Sequence, residues 1–181
     1  MFGEISTNAK SVTKDRAEVE RYSKDFRVSV AIDFSKKPEP VKSGMKFLDG
    51  LLKNVKFGLS VSKGGVEDPK LIEHIGFAMG EALRRIHEKR KTKPLASSIH
   101  SDRRMMCMFA INLRNQGGEA NLQIIGKPEF DTELLFAFFD GFAQGLSSEI
   151  NAVVNLSGGR NHLDFISKAF ASSLERIFEQ G

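Results

Sequence analysis

Two cationic side chains, Lys70 and Arg160, stand close to the predicted starts of two helices. The first backbone amides of a helix have no partner within the helix, and the helix dipole adds partial positive charge there, so a helix start attracts anions. A phosphate or carboxylate group is therefore one ligand that Lys70 and Arg160 could bind. The simpler interpretation is that both are solvated cations at helix ends, and the sequence favours it.

The other groups with chemical potential have ordinary explanations. Cys107 is a lone cysteine inside an apolar run, which predicts a buried core residue rather than a nucleophile. The basic run at residues 84–93 is typical of a solvated helix end and loop, and the absence of Trp argues against a stacking platform, so nucleic acid is not favoured as a partner. Nucleotide-binding glycine loops, a G-x-S-x-G elbow and a C-x-x-C pair are absent.

The composition indicates one ordinary globular domain. The chain has 181 residues, of which 40% are hydrophobic and 28% charged, with a formal net charge of +4. No apolar run approaches the roughly twenty residues that a membrane-spanning helix needs, and the first residues lack the apolar region of a secretory signal. We therefore expect a cytoplasmic protein without membrane contact.

The chain contains an internal repeat of about ninety residues. F-L-D-G-L-L at 47–52 corresponds to F-F-D-G-F-A at 138–143, and each copy continues into an alternating segment and a Gly-Gly pair. A helical pattern follows in both copies, with Glu73 ten residues before Leu83 and Asp164 ten residues before Leu174. A repeat that occurs only twice indicates a duplication rather than a solenoid. We predict one domain, 1–181, made of repeats at about 15–93 and 97–181.

Hydrophobic periodicity predicts the same succession of elements in both repeats. The first repeat has two strands, a helix, a strand and a second helix, and the second repeat matches it. The predicted elements are strands near 17–19, 26–32, 58–62, 106–113, 122–125 and 150–154, and helices near 45–55, 71–86, 132–142 and 163–177. The fold class is therefore α+β, with a β-β-α-β-α unit repeated in tandem.

Several segments, in the same order along most of the chain, resemble the imidazoleglycerol-phosphate dehydratase family of histidine biosynthesis. Residues 17–25 (A-E-V-E-R-Y-S-K-D) are close to the family's A-x-V-x-R-x-T-x-E, and 47–52 to its F-L-D-H-M-L. Further matches are A-M-G-E-A-L at 78–83, T-E-L followed by F-F at 132–139, and K-A at 168–169. The resemblance implies two four-stranded sheets with helices sandwiched between them, and subunits that form trimers which pack into a larger shell.

The resemblance also implies a lyase that uses two manganese ions, but the ligand positions have changed. The family's H-H-x-x-E motif corresponds to P-K-L-I-E at 69–73 and to R-N-H-L-D at 160–164. Two further histidine positions of the family are Gly50 and Asn151 here. The carboxylates remain as Glu73 and Asp164, while Lys70 and Arg160 add positive charge that opposes a cation. His74 and His162 lie next to the motifs, and two imidazoles cannot rebuild two metal sites.

These changes favour a protein without catalytic residues and without a cofactor, retained as an oligomeric scaffold or as a binding protein for an anionic ligand or partner. If subunits assemble as in the family, Arg103, Arg104 and Lys168 join Lys70 and Arg160 in an anion site for a phosphorylated small molecule or an acidic protein. The alternative is an active dehydratase, a carbon–oxygen lyase, with an atypical manganese site. Its only plausible ligands are Glu73, His74, His162 and Asp164.

Overall fold

The computed structural model describes residues 3–114 and 116–179 and contains eight strands and four helices within them. The first half has β1 (Ser6–Lys10), β2 (Arg16–Tyr22), β3 (Arg27–Asp33), α1 (Lys46–Leu51), β4 (Gly58–Gly64) and α2 (Pro69–Lys89). The second half has β5 (Leu95–Ser101), β6 (Met106–Asn112), β7 (Glu119–Gly126), α3 (Thr132–Leu146), β8 (Glu149–Leu156) and α4 (His162–Phe178).

The N-terminal sheet has the strand order β1-β2-β3-β4, and every neighbouring pair is antiparallel. Its inward positions are apolar where β2 and β3 alternate, as at Val19 and Val30, which are fully buried and face each other in register. Its outward positions carry polar and charged side chains. One face of this sheet therefore meets the core and the other meets solvent.

The C-terminal sheet has the order β5-β6-β8-β7, so the two repeats differ in topology. β7 pairs with β8 in parallel, so the chain that connects them must return from the end of β7 to the end of the sheet at which β7 begins. The helix α3, with 15 residues, makes that return. In the first repeat the connection from β3 to β4 joins strand ends that already face each other, at Asp33 and Gly58, and the six-residue α1 is enough there.

The four helices lie between the two sheets. α2 packs on β2 and β3, α4 packs on β5 and β6, and α3 packs on β7 and β8, while α1 contacts α4. The two repeats meet chiefly through α2 and α3, which run parallel and approach each other at four glycines. A Cβ atom on Gly76, Gly80, Gly141 or Gly145 would overlap the backbone of the opposite helix. Only glycine permits this approach.

The predicted fold class is confirmed, and the structure adds one strand at the start of each half. β1 and β5 were not predicted, and β1 begins before the predicted boundary of the first repeat at about residue 15. The first helix is also shorter than predicted: α1 ends at Leu51 and continues as a turn. None of the helices in the described part of the chain is long and apolar enough to cross a membrane.

Candidate functional site

The start of α2 carries the first set of predicted site residues. Asp68 caps the helix, because its carboxylate accepts a hydrogen bond from the Leu71 amide at 2.9 Å, and Pro69 occupies the first turn. Lys70 is exposed at this end. The Asp68 carboxylate thus already provides the negative charge that the helix start attracts. The helix start therefore adds less to any attraction of an external anion by Lys70.

His74 lies one turn further along α2, in a layer of stacked side chains. Its ring is parallel to Phe26 at 3.9 Å between centroids, and its Nδ1 accepts a hydrogen bond from Arg21 Nε at 3.1 Å. The Arg21 guanidinium in turn lies over Phe77, 3.7 Å from the ring centroid. Burial lowers the pKa of His74 to about 4, and the positive charges of Arg21 and Lys70 contribute to the shift, while Asp68 opposes it. The imidazole is therefore neutral at physiological pH.

Arg21 itself is half-buried beneath the start of α2. Burial lowers the pKa of its guanidinium, and the charges of Glu73 and Glu81 oppose that shift. The charges of Glu73 and Glu81 thus act on a cation of the same subunit. A cavity of about 410 Å³ opens beside this group, lined by residues of the N-terminal segment, the β2–β3 turn and the start of α2. Its polar lining residues are Ser23, Asp25, Asp68, Lys70, Glu73 and His74.

The start of α4 is built differently. Gly159 and Asn161 both have left-handed backbone conformations, with φ of 78° and 57°, and they turn the chain from β8 into the helix. His162 is 4% exposed and ties this turn to the segment before α3. Its Nδ1 accepts from the Glu129 amide at 3.2 Å, so the other ring nitrogen, Nε2, is the donor to the Gly158 carbonyl, also at 3.2 Å. Both ring nitrogens of His162 are therefore occupied.

Asp164, the second surviving carboxylate, is also engaged within the subunit. Its Oδ1 accepts from Asn54 Nδ2 at 2.9 Å, and its Oδ2 pairs with Lys168 Nζ at 3.2 Å, one helical turn away. Burial raises the pKa of Asp164, but the hydrogen bonds from Asn54 and Lys168 outweigh it and lower the pKa. The carboxylate is thus held ionised by neighbouring donors.

The position of the family's F-L-D-H histidine, Gly50, is closed to a large side chain. Gly50 on α1 faces Leu163 on α4, and a Cβ atom at residue 50 would lie 2.8 Å from Leu163 Cδ2. A histidine there would require Leu163 to move. Asn151 lies at an exposed position on β8, where its amide donates to Glu149 at 3.0 Å.

The predicted anion-binding residues fall into three places. Arg103 and Arg104 form the exposed β5–β6 turn, and Arg104 packs against Gly158, two residues before Arg160, so these three arginines share one region beside the start of α4. Arg103 and Arg104 also line a shallow concavity of about 550 Å³. Lys168 is paired with Asp164, and Lys70 lies at the start of α2. The structure thus places Arg103 and Arg104 in one turn, with Arg104 beside Gly158, two residues before Arg160.

The donors that remain do not fit the family's metal centre. Within residues 3–114 and 116–179, no group of three or more His, Cys, Asp and Glu side chains is arranged to hold a metal ion. His162 has no nitrogen lone pair left for a metal, and His74 uses Nδ1 for Arg21. Lys70 and Arg160 are exposed, so solvent screens their repulsion of a cation, and the missing ligands are the stronger obstacle.

Sequence reasoning about the site missed Arg21 and Asn54. Arg21 had a detectable signal, because it follows Ala17 and Val19 at the inward positions of a strand, where an ionisable side chain requires a partner. Asn54 had none, since its contact with Asp164 joins residues in different repeats.

Comparison with known proteins agrees with this fold. No protein-family model matches the chain. The imidazoleglycerol-phosphate dehydratase of Sulfurovum sp. (strain NBC37-1) is 29% identical over 173 residues, which covers 88% of this chain and 90% of that protein. The structure of IGPD from Pyrococcus furiosus in complex with (S)-C348 superposes with a TM-score of 0.72 at 24% identity, over 90% of this chain and 94% of that one.

The imidazoleglycerol-phosphate dehydratase of Staphylococcus aureus subsp. aureus N315 superposes with a TM-score of 0.70 at 17% identity, over 98% of this chain and all of that one. At these identities the two solved structures support only the similarity in fold. The Sulfurovum protein provides the similarity in sequence. The chain is thus similar in sequence to the Sulfurovum imidazoleglycerol-phosphate dehydratase, and it shares the fold of the two solved structures.

Proposed function

We propose that this protein is a cytoplasmic, dehydratase-like scaffold that has lost metal-dependent catalysis and binds an anionic ligand or partner. The family's dehydration depends on metal ions that act as Lewis acids and position the substrate. This chain retains the packing that forms the fold while the groups that would bind the ions are replaced or engaged elsewhere. A catalytic role is therefore not part of the proposal.

The hydrogen bonds of His74 and His162, the two histidines beside the motifs, carry this proposal. A metal ligand must direct a free nitrogen lone pair at the ion. His162 uses one nitrogen to accept from the Glu129 amide and the other to donate to the Gly158 carbonyl, so metal binding would break both hydrogen bonds. His74 already accepts from Arg21, whose positive charge would repel an ion bound at that nitrogen.

The anionic ligand is best assigned to the region of Arg103, Arg104 and Arg160. Arginine suits phosphate and carboxylate groups because its guanidinium offers several donors in one plane. All three side chains are exposed and lie on segments that contact each other. Lys70 is less suitable, because Asp25, Asp68 and Glu73 line its cavity with that single cation, whereas Asp102 lines the other concavity with two arginines.

We also propose that the protein self-associates, as a trimer like the family's smaller assembly. The larger shell of the family is tied together with the help of metal. If this chain binds no metal, the smaller assembly is expected.

The central test is metal binding and turnover by the purified full-length protein. The protein is incubated with manganese and then dialysed into metal-free buffer, and we expect elemental analysis to find no manganese retained. We also expect no dehydration of imidazoleglycerol phosphate with added manganese. The Sulfurovum dehydratase, treated identically, is the positive control. Stoichiometric manganese together with metal-dependent product formation would contradict the proposal and support the alternative, an active dehydratase in which Glu73, His74, His162 and Asp164 serve as ligands.

The anion site has a separate test. Inorganic phosphate should raise the melting temperature of the wild-type protein, and the double variant Arg103→Gln/Arg104→Gln should lose most of that increase. Lys70→Gln removes one positive charge elsewhere and serves as the control, which should keep the increase. No effect of phosphate on the wild-type protein would exclude the anion site.

A further inference from the structure

Six exposed cationic side chains collect near the end of α2, although they belong to three separate segments. Two lie where the β1–β2 loop enters β2, two lie in the loop after β3, and two flank the residue that follows α2. We call these six residues the basic cluster: Lys14, Arg16, Lys36, Lys37, Lys89 and Lys91. Six positive charges exceed the net charge of +4 of the whole chain, so the remaining residues are net acidic.

Three residues that face inward hold the three segments together. The Phe34 amide donates a hydrogen bond to the Asp15 carbonyl at 2.8 Å, and the Arg90 guanidinium lies over the Phe34 ring, 4.9 Å from its centroid. Arg90 Nη1 also lies 3.8 Å from Asp15 Oδ1. Asp15 and Arg90 each stand between two cations of the basic cluster, and Phe34 precedes the third pair by two residues. These contacts therefore bring the three pairs of cations together around Phe34.

The backbone at the end of α2 directs its two lysines outward. Arg90 has extended dihedral angles, with φ of −132° and ψ of 141°. Successive side chains of an extended chain point to opposite sides, so Lys89 and Lys91 point away from Arg90. The Arg90 side chain is 9% exposed, and its Nε and Nη1 have no hydrogen-bond partner among the described residues. Arg90 thus anchors the segment, and the two lysines are presented to solvent.

Nearby carboxylates neutralise the basic cluster only in part. Within the part of the chain that the structure describes, none of the six cations forms an ion pair. Asp15 and Glu88 pair instead with Arg90 and Arg84. Three other carboxylates share a shallow concavity with half of the cluster: Glu18, Asp33 and Glu39. Even if each of them cancels one charge, three positive charges remain in excess.

The dipole of α2 explains only two of the six cations. The last carbonyl groups of a helix carry partial negative charge, and cations in the last turn stabilise it. Lys89 and Lys91 fit that role. The other four cations belong to β2 and to loops of the N-terminal sheet, and none of these four lies on a helix. Their presence beside the end of α2 therefore calls for another explanation.

The composition of this surface distinguishes between classes of polyanionic partner. Protein interfaces have apolar centres, and helices that bind membrane surfaces bury an apolar face. None of the large apolar side chains that are exposed in the described part of the chain belongs to residues 14–16, 34–37 or 87–91. Binding to the phosphate backbone of a nucleic acid needs no apolar contact, because cations that replace condensed counterions provide the affinity.

The same surface also favours a duplex over a single strand. Single-stranded nucleic acids are usually bound by aromatic rings that stack on the bases. Phe34 is the aromatic residue of these segments, and it packs against Phe57 and Phe178, with centroid distances of 4.7 and 5.3 Å. Its ring is therefore engaged within the subunit. Contacts to phosphate groups alone carry no information about base sequence.

We propose that the basic cluster binds the phosphate backbone of a double-stranded nucleic acid without preference for its sequence. The basic run at residues 84–93 alone does not favour this partner, but the structure adds four cations from the N-terminal half. The basic cluster is also separate from the anion site proposed above. Arg104 packs beside the start of α4, whereas Phe178 at the other end of α4 contacts Phe34, about 24 Å away along the helix.

Fluorescence anisotropy with labelled duplexes and the full chain tests the proposal. Mixed-sequence DNA and RNA duplexes of about twenty base pairs are measured separately, and the relative affinities show which nucleic acid is preferred. At about 50 mM salt the wild-type protein should bind at least one of them, and a second duplex of unrelated sequence equally well. Three phosphate contacts should make the binding about 40-fold weaker when the salt is raised to about 200 mM.

Two double variants locate the contact. Lys36→Gln/Lys37→Gln and Lys89→Gln/Lys91→Gln should each weaken binding at least tenfold at the lower salt concentration, because each removes two of the cations that face the phosphates. The changed side chains are all exposed, and far-UV circular dichroism shows whether each variant is folded.

The matched control is Lys24→Gln/Lys70→Gln, which removes two exposed lysines at the other end of the molecule. Lys70 lies at the start of α2, about 28 Å from Lys89 along the helix, and Lys24 lies in the β2–β3 turn, beyond the far end of β2. This variant should keep the wild-type affinity. Arg103→Gln/Arg104→Gln should also keep it, which separates the basic cluster from the anion site.

Two results would overturn the proposal. The first is the absence of binding to both duplexes at about 50 mM salt with protein at about 100 μM, which would leave the basic cluster for an acidic protein. The second is binding that both cluster variants retain, because the contact would then lie elsewhere on the surface.

Discussion

His74 is held neutral by its surroundings, and this affects how the folded protein responds to acid. The ring is sandwiched against Phe26, and its Nδ1 accepts from Arg21, so a proton on that nitrogen would break the hydrogen bond and place two positive charges together. The folded state therefore binds a proton at His74 only near pH 4, whereas an unfolded chain binds it at the ordinary pKa of 6.5.

This difference gives a prediction with a defined sign. Between pH 6.5 and about 4 the unfolded state binds more protons at His74 than the folded state does, so the contribution of His74 to stability falls as the pH is lowered through that window. Allowing for the partial exposure of the ring, the loss should be about 1–2 kcal/mol. Urea denaturation at pH 7 and pH 4.5 should show a smaller loss for His74→Gln than for the wild-type protein.

The control for this prediction is His100→Gln, which removes a different half-buried imidazole, one that contacts Ser172 and Phe165 in the C-terminal half. That variant should retain the wild-type dependence on pH. A nuclear magnetic resonance titration of the wild-type protein in which the His74 ring protons shift with a midpoint near 6.5 would contradict the mechanism.

Only part of the candidate site could be predicted from the sequence. Glu73 and Asp164 could be identified because they align with a repeated motif, and His74 and His162 because they lie next to it. The partners that engage them, Arg21 and Asn54, could not be assigned, because each contact joins segments far apart in the chain, 53 residues for Arg21–His74 and 110 for Asn54–Asp164. Hydrophobic periodicity describes neighbours within an element and not contacts of this range.

At the scale of elements, the parallel contact between α2 and α3 joins the two repeats. Gly76 and Gly80 on α2 face Phe138 and Phe142 of α3, and Gly141 and Gly145 on α3 face Glu73 and Phe77 of α2. The backbones touch, so no side chain separates the helices at these points. Their separation is therefore fixed by glycine rather than by the size of a core side chain.

Gly141→Ala should destabilise the protein strongly. The added methyl group would overlap the Glu73 carbonyl, and relief requires two buried helices to move apart, which should lower the free energy of unfolding by about 3 kcal/mol or more. Urea denaturation followed by far-UV circular dichroism measures the loss.

Gly64→Ala provides the comparison, because the nearest atom to its added Cβ is the Arg27 carbonyl oxygen at 4.0 Å. That change should alter stability by less than about 1 kcal/mol. Equal effects of the two substitutions would show that α2 and α3 do not meet in this way.

The elements that sequence patterns missed, β1 and β5, lack the expected apolar alternation. β1 reads S-T-N-A-K and lies at the edge of its sheet, so most of its side chains are exposed. β5 buries a serine, Ser98, which donates to the Ala169 carbonyl at 2.6 Å, while its large residues Leu95 and Ile99 face outward. Its pattern is the reverse of a strand that buries its large residues. The exchange of β7 and β8 in sheet order also left no trace in sequence spacing.

At the scale of the whole molecule, one continuous core joins the two halves. Phe138, Phe139 and Phe142 of α3 pack with Phe170 of α4 and Phe109 of β6 in the second half, and α3 also lies against α2 of the first half. Neither repeat buries its helices without the other. We therefore expect the protein to unfold as a single unit.

The reactivity of the Cys107 thiol can be used to test whether the protein unfolds as a single unit. The thiol is fully buried on β6, and burial raises its pKa to about 12, so it should not react with a thiol reagent such as Ellman's reagent in the native protein. Across a urea titration, the onset of labelling should coincide with the loss of helical circular dichroism. Labelling at a lower urea concentration would indicate that the C-terminal sheet opens independently.

The glycine contact between α2 and α3 has a consequence for how this sequence can change over time. Two packed helices usually tolerate substitutions when a larger side chain on one helix is compensated by a smaller one on the other. Where the backbones of α2 and α3 touch, there is no side chain that could become smaller. Each half therefore constrains the other at four fixed places. In a saturation mutagenesis library selected for folding, residues 76, 80, 141 and 145 should admit no alternative, even in combination with changes on the opposite helix.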